Sequence, residues 1–180
     1  MNIWLSILKL FRWKTEITVP DRDKAIICVA PHTSNWDFII GLIAYKSIGR
    51  KAGFLMKDFW FFFPLKYLLT ALGGVPVKRD SNSSLTNTLV QDFKHRSKLV
   101  LAITPEGSRK AVDHWKTGFL RIAYQAQIPV QLGVIDYNKK RVIIKEEFFP
   151  SSDIEADLKT VRHYYSQCKL AAKYPEKFKI

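Results

Sequence analysis

The sequence predicts an α/β fold, a single domain in which a mostly parallel sheet is flanked by helices. Three observations point there. The chain has 180 residues, a one-domain length with room for a single core. Short apolar runs of small and β-branched residues at 25–30, Leu99–Ile103 and 130–135 read as buried strands. Segments of helical periodicity lie between them, and strands alternating with helices build parallel sheets covered on both faces.

Ile3, Trp4, Ile7, Leu8 and Phe11 recur at helical spacing beside Lys9, Arg12 and Lys14, which predicts an amphipathic helix within residues 1–14. The strand at 25–30 stops at Pro31. Residues 37–48 then read as helix, capped by Gly49. A short strand at 52–56 precedes an aromatic-rich segment, 59–72, expected to be helical with a break at Pro64. Gly73 and Gly74 turn the chain into a strand at 75–77, and Leu85, Leu89 and Phe93 mark a helix over 84–96. After Leu99–Ile103 the pattern gives a helix at 118–127, strands at 130–135 and 141–145, and a closing helix at 154–173. No repeat or linker divides the chain, so residues 1–180 are expected to form one domain, with 25–136 as its motif-bearing core.

Composition narrows the class. With 47% hydrophobic and 25% charged residues, disorder, collagen and coiled coil are excluded. Lys and Arg number 29 against 16 Asp and Glu, and the net charge of +13 favours anionic partners: nucleic acid, phospholipid surfaces, phosphorylated substrates or acidic carrier proteins. Cys28 and Cys168 are too far apart in sequence for a zinc-finger spacing or a disulfide framework, which fits a reducing compartment. Charge-free stretches fall short of the ~20 residues of a transmembrane helix, and the first 13 residues lack a signal-peptide cleavage site, so neither a membrane span nor export is expected.

The chemistry-bearing residues sit just past predicted strand ends, where open parallel sheets place their sites. His32 and Asp37 flank the turn from the strand at 25–30 into the next helix. At that spacing the carboxylate can accept from one imidazole nitrogen and hold the other as a base. Lys78 and Arg79 follow the strand at 75–77, the arginine offering a planar fork suited to phosphate. Past Ile103 come Thr104, Pro105, Glu106, Gly107, Ser108 and Arg109, with a glycine for close backbone approach, a hydroxyl and a second guanidinium. Three roles stay open to Glu106: orienting Arg109, hydrogen-bonding a substrate hydroxyl, or satisfying backbone donors in the turn.

Taken in order, these segments resemble the lysophospholipid acyltransferase family, which includes bacterial 1-acylglycerol-3-phosphate acyltransferases. Its His-x4-Asp motif corresponds to His32 and Asp37, its glycine-containing strand ending in arginine to 74–79, and its Pro-Glu-Gly-Thr-Arg motif to Pro105, Glu106, Gly107, Ser108 and Arg109. A Val-Pro-Ile-like strand start corresponds to Ile128, Pro129 and Val130. Pro31 stands where the family often has asparagine, Ser108 replaces the threonine, and the second proline of the fourth motif is absent.

The resemblance implies a glycerolphosphate-acyltransferase-like fold and an O-acyltransferase that moves a fatty acyl group from acyl-CoA or an acidic acyl-carrier protein to a lysophospholipid or glycerol phosphate hydroxyl. His32 would be the base and Asp37 its support, with Lys78, Arg79, Glu106, Gly107, Ser108 and Arg109 binding substrate. No cofactor and no metal are expected, the thioester being a co-substrate. Long acyl chains imply peripheral work at the cytoplasmic face of a membrane. Residues 2–13 suit such contact, and Phe59, Trp60, Phe61, Phe62 and Phe63, with Lys57 and Lys66 beside them, suit membrane contact and core packing equally. The alternatives are a phosphate-free acceptor such as a lyso amino-acid lipid, or a non-catalytic basic protein that binds lipid or nucleic acid. The absence of a nucleic-acid motif argues against nucleic-acid partners, and the intact His32 and Asp37 argue against a merely lipid-binding role.

Overall fold

The computed structural model describes residues 2–77 and 82–180. Among the described residues, β1 (Lys14–Ile17), β2 (Lys24–Val29), β3 (Gly53–Lys57), β4 (Gly74–Val77), β5 (Leu99–Ile103), β6 (Val130–Asp136) and β7 (Arg141–Phe148) form one sheet in the order β1-β7-β6-β2-β5-β3-β4. Every neighbouring pair is parallel except β6 and β7, which are antiparallel. The helices are α1 (Ile3–Leu10), α2 (Asn35–Ser47), α3 (Leu65–Ala71), α4 (Asn82–His95), α5 (Gly118–Ala126) and α6 (Ile154–Ser166). The expected single α/β domain with a mostly parallel sheet and flanking helices is the fold observed.

Successive strand residues face opposite sides of a sheet, so a strand buried on both faces must be apolar throughout. β2 shows this. Ile26 and Cys28 join Leu101, Val130, Leu132 and Val134 in a core roofed by Phe93, Phe119, Leu120 and Tyr165 from α4, α5 and α6. Ile27 and Val29 face the other way, toward Tyr45 of α2. On that second face Leu8 of α1 packs with Ala44, Ile135 and Val142. Tyr165 is fully buried, and its hydroxyl donates to the Cys28 carbonyl at 2.6 Å, tying α6 to the central strand. Cys28 itself is buried, and desolvation pushes its thiol far above the ordinary range, so it is a core residue and not a nucleophile.

The edge strand β1 had no counterpart among the expected elements. Three of its four residues, Lys14, Thr15 and Glu16, are polar, and Glu16 is held by Arg141 at 2.5 Å and Lys145 at 2.7 Å from the neighbouring β7. Several boundaries also differ, and β7 runs to Phe148 rather than to 145. α2 starts at Asn35 rather than at residue 37, because Ser34 caps it. The aromatic segment 59–72 is not one helix: a 3-10 turn at Asp58–Trp60 is followed by non-helical residues, and only Leu65–Ala71 is α-helical. The closing helix ends at Ser166 rather than at 173, and after a second 3-10 turn, Lys169–Ala171, the chain folds back across the sheet end, where Ala171 accepts from the Tyr137 amide at 2.9 Å.

Candidate active site

The parallel strands bring the turns after β2 and β5 side by side. β2 lies between β6 and β5, and the chain leaves it toward β3 on one side but returns to β6 on the other. Its carboxyl end is therefore a point where strand order reverses, the place where open α/β sheets bind ligands in a crevice between loops.

Past β2, residues 31–34 carry the chain into α2, where Ser34 and Asp37 form a reciprocal capping box. The Asp37 carboxylate is buried at 3% exposure. One oxygen, Oδ2, accepts from the amides of Thr33 at 2.8 Å and Ser34 at 2.9 Å, and it lies 3.1 Å from Nδ1 of His32. The other, Oδ1, accepts from the Tyr137 hydroxyl at 2.6 Å. With the carboxylate oxygen as acceptor beside it, Nδ1 is placed to donate, the tautomer that turns the Nε2 lone pair away from Asp37. The His32 side chain keeps 18% exposure, so Nε2 can reach a reactant in the crevice.

Glu106, past β5, is 5% exposed and accepts from the His32 amide through Oε2 at 2.8 Å. Of its three open roles, this geometry is the third, satisfying a backbone donor. Burial, opposed by that hydrogen bond and helped by the nearby Asp37 charge, pushes its carboxyl up to about 8. Gly107 has φ +60, and a Cβ there would meet the Lys116 side chain 2.9 Å away, so the turn needs glycine. Ser108 Oγ accepts from the Lys110 amide at 3.1 Å. Arg109 donates to Asn35 Oδ1 in the first turn of α2, which places its guanidinium at the mouth of the same crevice.

The structure thus brings His32, Asp37, Glu106, Gly107, Ser108 and Arg109 to one place. Lys78 and Arg79 lie outside the described residues. Gly74 of the second motif is packed so closely that a Cβ would lie 2.9 Å from the Leu69 carbonyl oxygen and 3.0 Å from the Phe61 ring.

Two contributors were not read from the sequence. Tyr137 is the first residue past β6, a position whose signal was available, since it is a strand carboxyl end next to the central strand. The other is the C-terminal tail. Its Tyr174 amide donates to Thr33 Oγ1 at 3.3 Å, and the Lys173 ammonium stands 5.5 Å from the Trp36 ring and 5.9 Å from the Tyr137 ring.

No curated protein sequence matches the chain significantly. The crystal structure of the 1-acyl-sn-glycerophosphate (LPA) acyltransferase PlsC from Thermotoga maritima shares the fold, with a TM-score of 0.63 at 18% sequence identity over 93% of this chain and 78% of that one. A family model described as acyltransferase matches residues 13–134, which include β1, the His32–Asp37 turn, the Glu106–Arg109 turn and most of β6. That match extends over well more than half of the sequence, and the chain belongs to the acyltransferase family.

Proposed function

We propose that the protein transfers a fatty acyl group from an acyl thioester, on coenzyme A or an acyl-carrier protein, to the free hydroxyl of a lysophospholipid or glycerol-phosphate-type acceptor. The observation that carries this reading is the pairing of His32 Nδ1 with the buried Asp37 carboxylate at 3.1 Å, at the carboxyl end of the central strand.

In this reading Nε2 of His32 takes the acceptor hydroxyl proton as that oxygen attacks the thioester carbonyl carbon. Asp37 holds the ring and stabilises the imidazolium that forms. The tetrahedral intermediate collapses with cleavage of the carbon–sulfur bond, and the imidazolium returns its proton to the departing thiolate. The acyl group passes directly to the acceptor, with no acyl-enzyme. Arg109 at the crevice mouth, and Lys78 and Arg79 from the second motif, take the acceptor phosphate through charge-assisted hydrogen bonds, with the backbone at Gly107 and Ser108 close by.

The same reading places the protein peripherally on an anionic membrane surface. α1 begins where Asn2 donates to the Ser47 carbonyl at 2.8 Å, and its chain reaches Trp13, whose ring packs edge-on against Tyr137 beside Asp37. This leaves Leu10 at 76% and Phe11 at 61% exposure. Past β3, at the same edge of the sheet as His32, Phe59 and Phe63 are each 76% exposed, with Trp60, Phe62, Tyr67 and Leu68 also open to solvent. Exposed apolar clusters of this kind, on a chain of net charge +13, suit insertion among anionic lipid headgroups.

Mass spectrometry of lipids tests the reaction. The protein is mixed with lysophosphatidate or a phosphate-free lysolipid, and with a coenzyme A or carrier-protein thioester. The expected product is the phosphate-bearing acceptor with one added acyl group and one equivalent of released thiol. No acylated product in any combination overturns the reading.

A further inference from the structure

We infer that Tyr137 is a positioning residue of the acyl-transfer site, clamping the Asp37 carboxylate so that its other oxygen faces His32. The inference rests on the His32–Asp37 reading above and deepens it. A capping aspartate needs only its backbone partners, and Thr33 and Ser34 supply these to Oδ2. Oδ1 would then be free to swing the carboxylate plane. The Tyr137 hydroxyl occupies it at 2.6 Å, from a residue 100 positions away in the turn after β6.

The ring has little freedom of its own. Trp13 packs edge-on at 5.3 Å between centroids, the Lys173 ammonium stands 5.9 Å from the centroid, and the Tyr137 amide donates to the Ala171 carbonyl at 2.9 Å. Chain from both ends of the sequence thus holds one phenol against one carboxylate. Burial and the Asp37 charge push the phenol above its ordinary range, so it remains a neutral donor at every pH the enzyme meets. With both oxygens fixed, the carboxylate presents a single geometry to Nδ1, which keeps the basic lone pair on Nε2.

The test uses the full chain and whichever acceptor and thioester pair turns over fastest. Tyr137→Phe removes one hydroxyl and keeps the ring. The expected result is a fall in kcat of about 10- to 100-fold, the range for outer partners that orient a reacting ligand, with both KM values little changed. Nitrogen-15 spectra of His32 should show the Nδ1–H tautomer in the wild type and a growing Nε2–H fraction in the variant. An unchanged kcat, a defect confined to KM, or a lower kcat with an unchanged tautomer overturns the clamp. Should Tyr137→Phe not fold, mono- and difluorotyrosine placed at position 137 grade the acidity of the donor. There kcat should track acidity at constant KM, and a flat kcat refutes the proposal. His32→Ala and Asp37→Asn run alongside. If those two keep wild-type activity the underlying reading fails, whereas their loss beside an unaffected Tyr137→Phe sinks the clamp alone.

Discussion

The His32 main-chain N–H donates to Oε2 of Glu106 at 2.8 Å, so the carboxyl of one turn holds the other turn by its backbone and leaves the imidazole to Asp37. The two residues lie 74 positions apart and meet because β2 and β5 are parallel neighbours, with Cys28 level with Ile103. The cost of that bond is a buried carboxyl.

The cost should be visible as a function of pH. The Glu106 carboxyl is raised from 4.5 to about 8 in the folded chain, so between those values the folded state holds a proton that the unfolded state has released. This contribution to stability is complete below pH 4.5 and is lost as pH rises through about 8. Glu106→Gln keeps an acceptor for the His32 amide and cannot ionise. Its melting temperature should therefore fall less than that of the wild type as pH is raised across this window. Parallel curves would show that Glu106 is not the group responsible.

His32→Ala and Asp37→Asn should separate chemistry from stability. Loss of a general base costs ~10²- to 10⁴-fold in rate, and His32 is a partly exposed turn residue whose removal should leave the melting temperature nearly unchanged. Asp37→Asn should be as severe for turnover and also lower stability by about 1 kcal/mol, because the Thr33 and Ser34 amides exchange a charged acceptor for a neutral one. Calorimetry on both variants, next to initial rates, checks the split.

Arg109→Ala should raise KM for a phosphate-bearing acceptor and leave a phosphate-free lysolipid less affected. Arg109→Lys should recover little of the loss, since a point charge does not replace a planar fork. A defect lying wholly in KM for the thioester would assign this guanidinium to the donor.

Vesicle binding should have a salt-sensitive and a salt-resistant part. Each Lys or Arg near an anionic surface contributes ~1 kcal/mol that screening removes, whereas buried apolar area is not screened. Leu8 belongs to the core, so deleting α1 would damage packing, and point changes are the cleaner probe. Leu10→Ser with Phe11→Ser, and separately Phe59→Ser with Phe63→Ser, should reduce sedimentation with vesicles at high salt and leave the melting temperature close to wild type. A set that binds normally at high salt identifies a patch that does not meet lipid.

Legibility in the sequence followed the range of each interaction. β2 and β6 are buried on both faces and β5 is centred on buried Leu101, so their apolar runs announced them, and the turn holding His32 and Asp37 is closed by contacts within six residues. β1 was invisible because its pattern is set by a partner far along the chain: Glu16 is an odd choice for a strand until Arg141 and Lys145 stand beside it. Helical periodicity persisted past Ser166 although the tail leaves the helix to dock on Thr33 and Tyr137. Glu106 and Tyr137 illustrate the same limit. Their chemistry depends on which strand ends are adjacent, and strand order is a property of the whole sheet.

The pairing of β1 with β7 fixes when the sheet can be finished. Lys14 to Ile17 pair with Arg141 to Ile144, so each residue of β1 precedes its ladder partner by 127 positions. On a ribosome β2, β5, β3 and β4 can join as they emerge, while β1, made before them, waits for a strand made after all of them. Loop closure over that separation is slow, and an unpaired edge is exposed meanwhile. The basic and acidic side chains of Lys14 and Glu16 keep that waiting edge hydrated and discourage it from pairing with a neighbouring nascent chain. The Glu16 carboxylate that holds the finished edge to Arg141 and Lys145 therefore also guards it during synthesis.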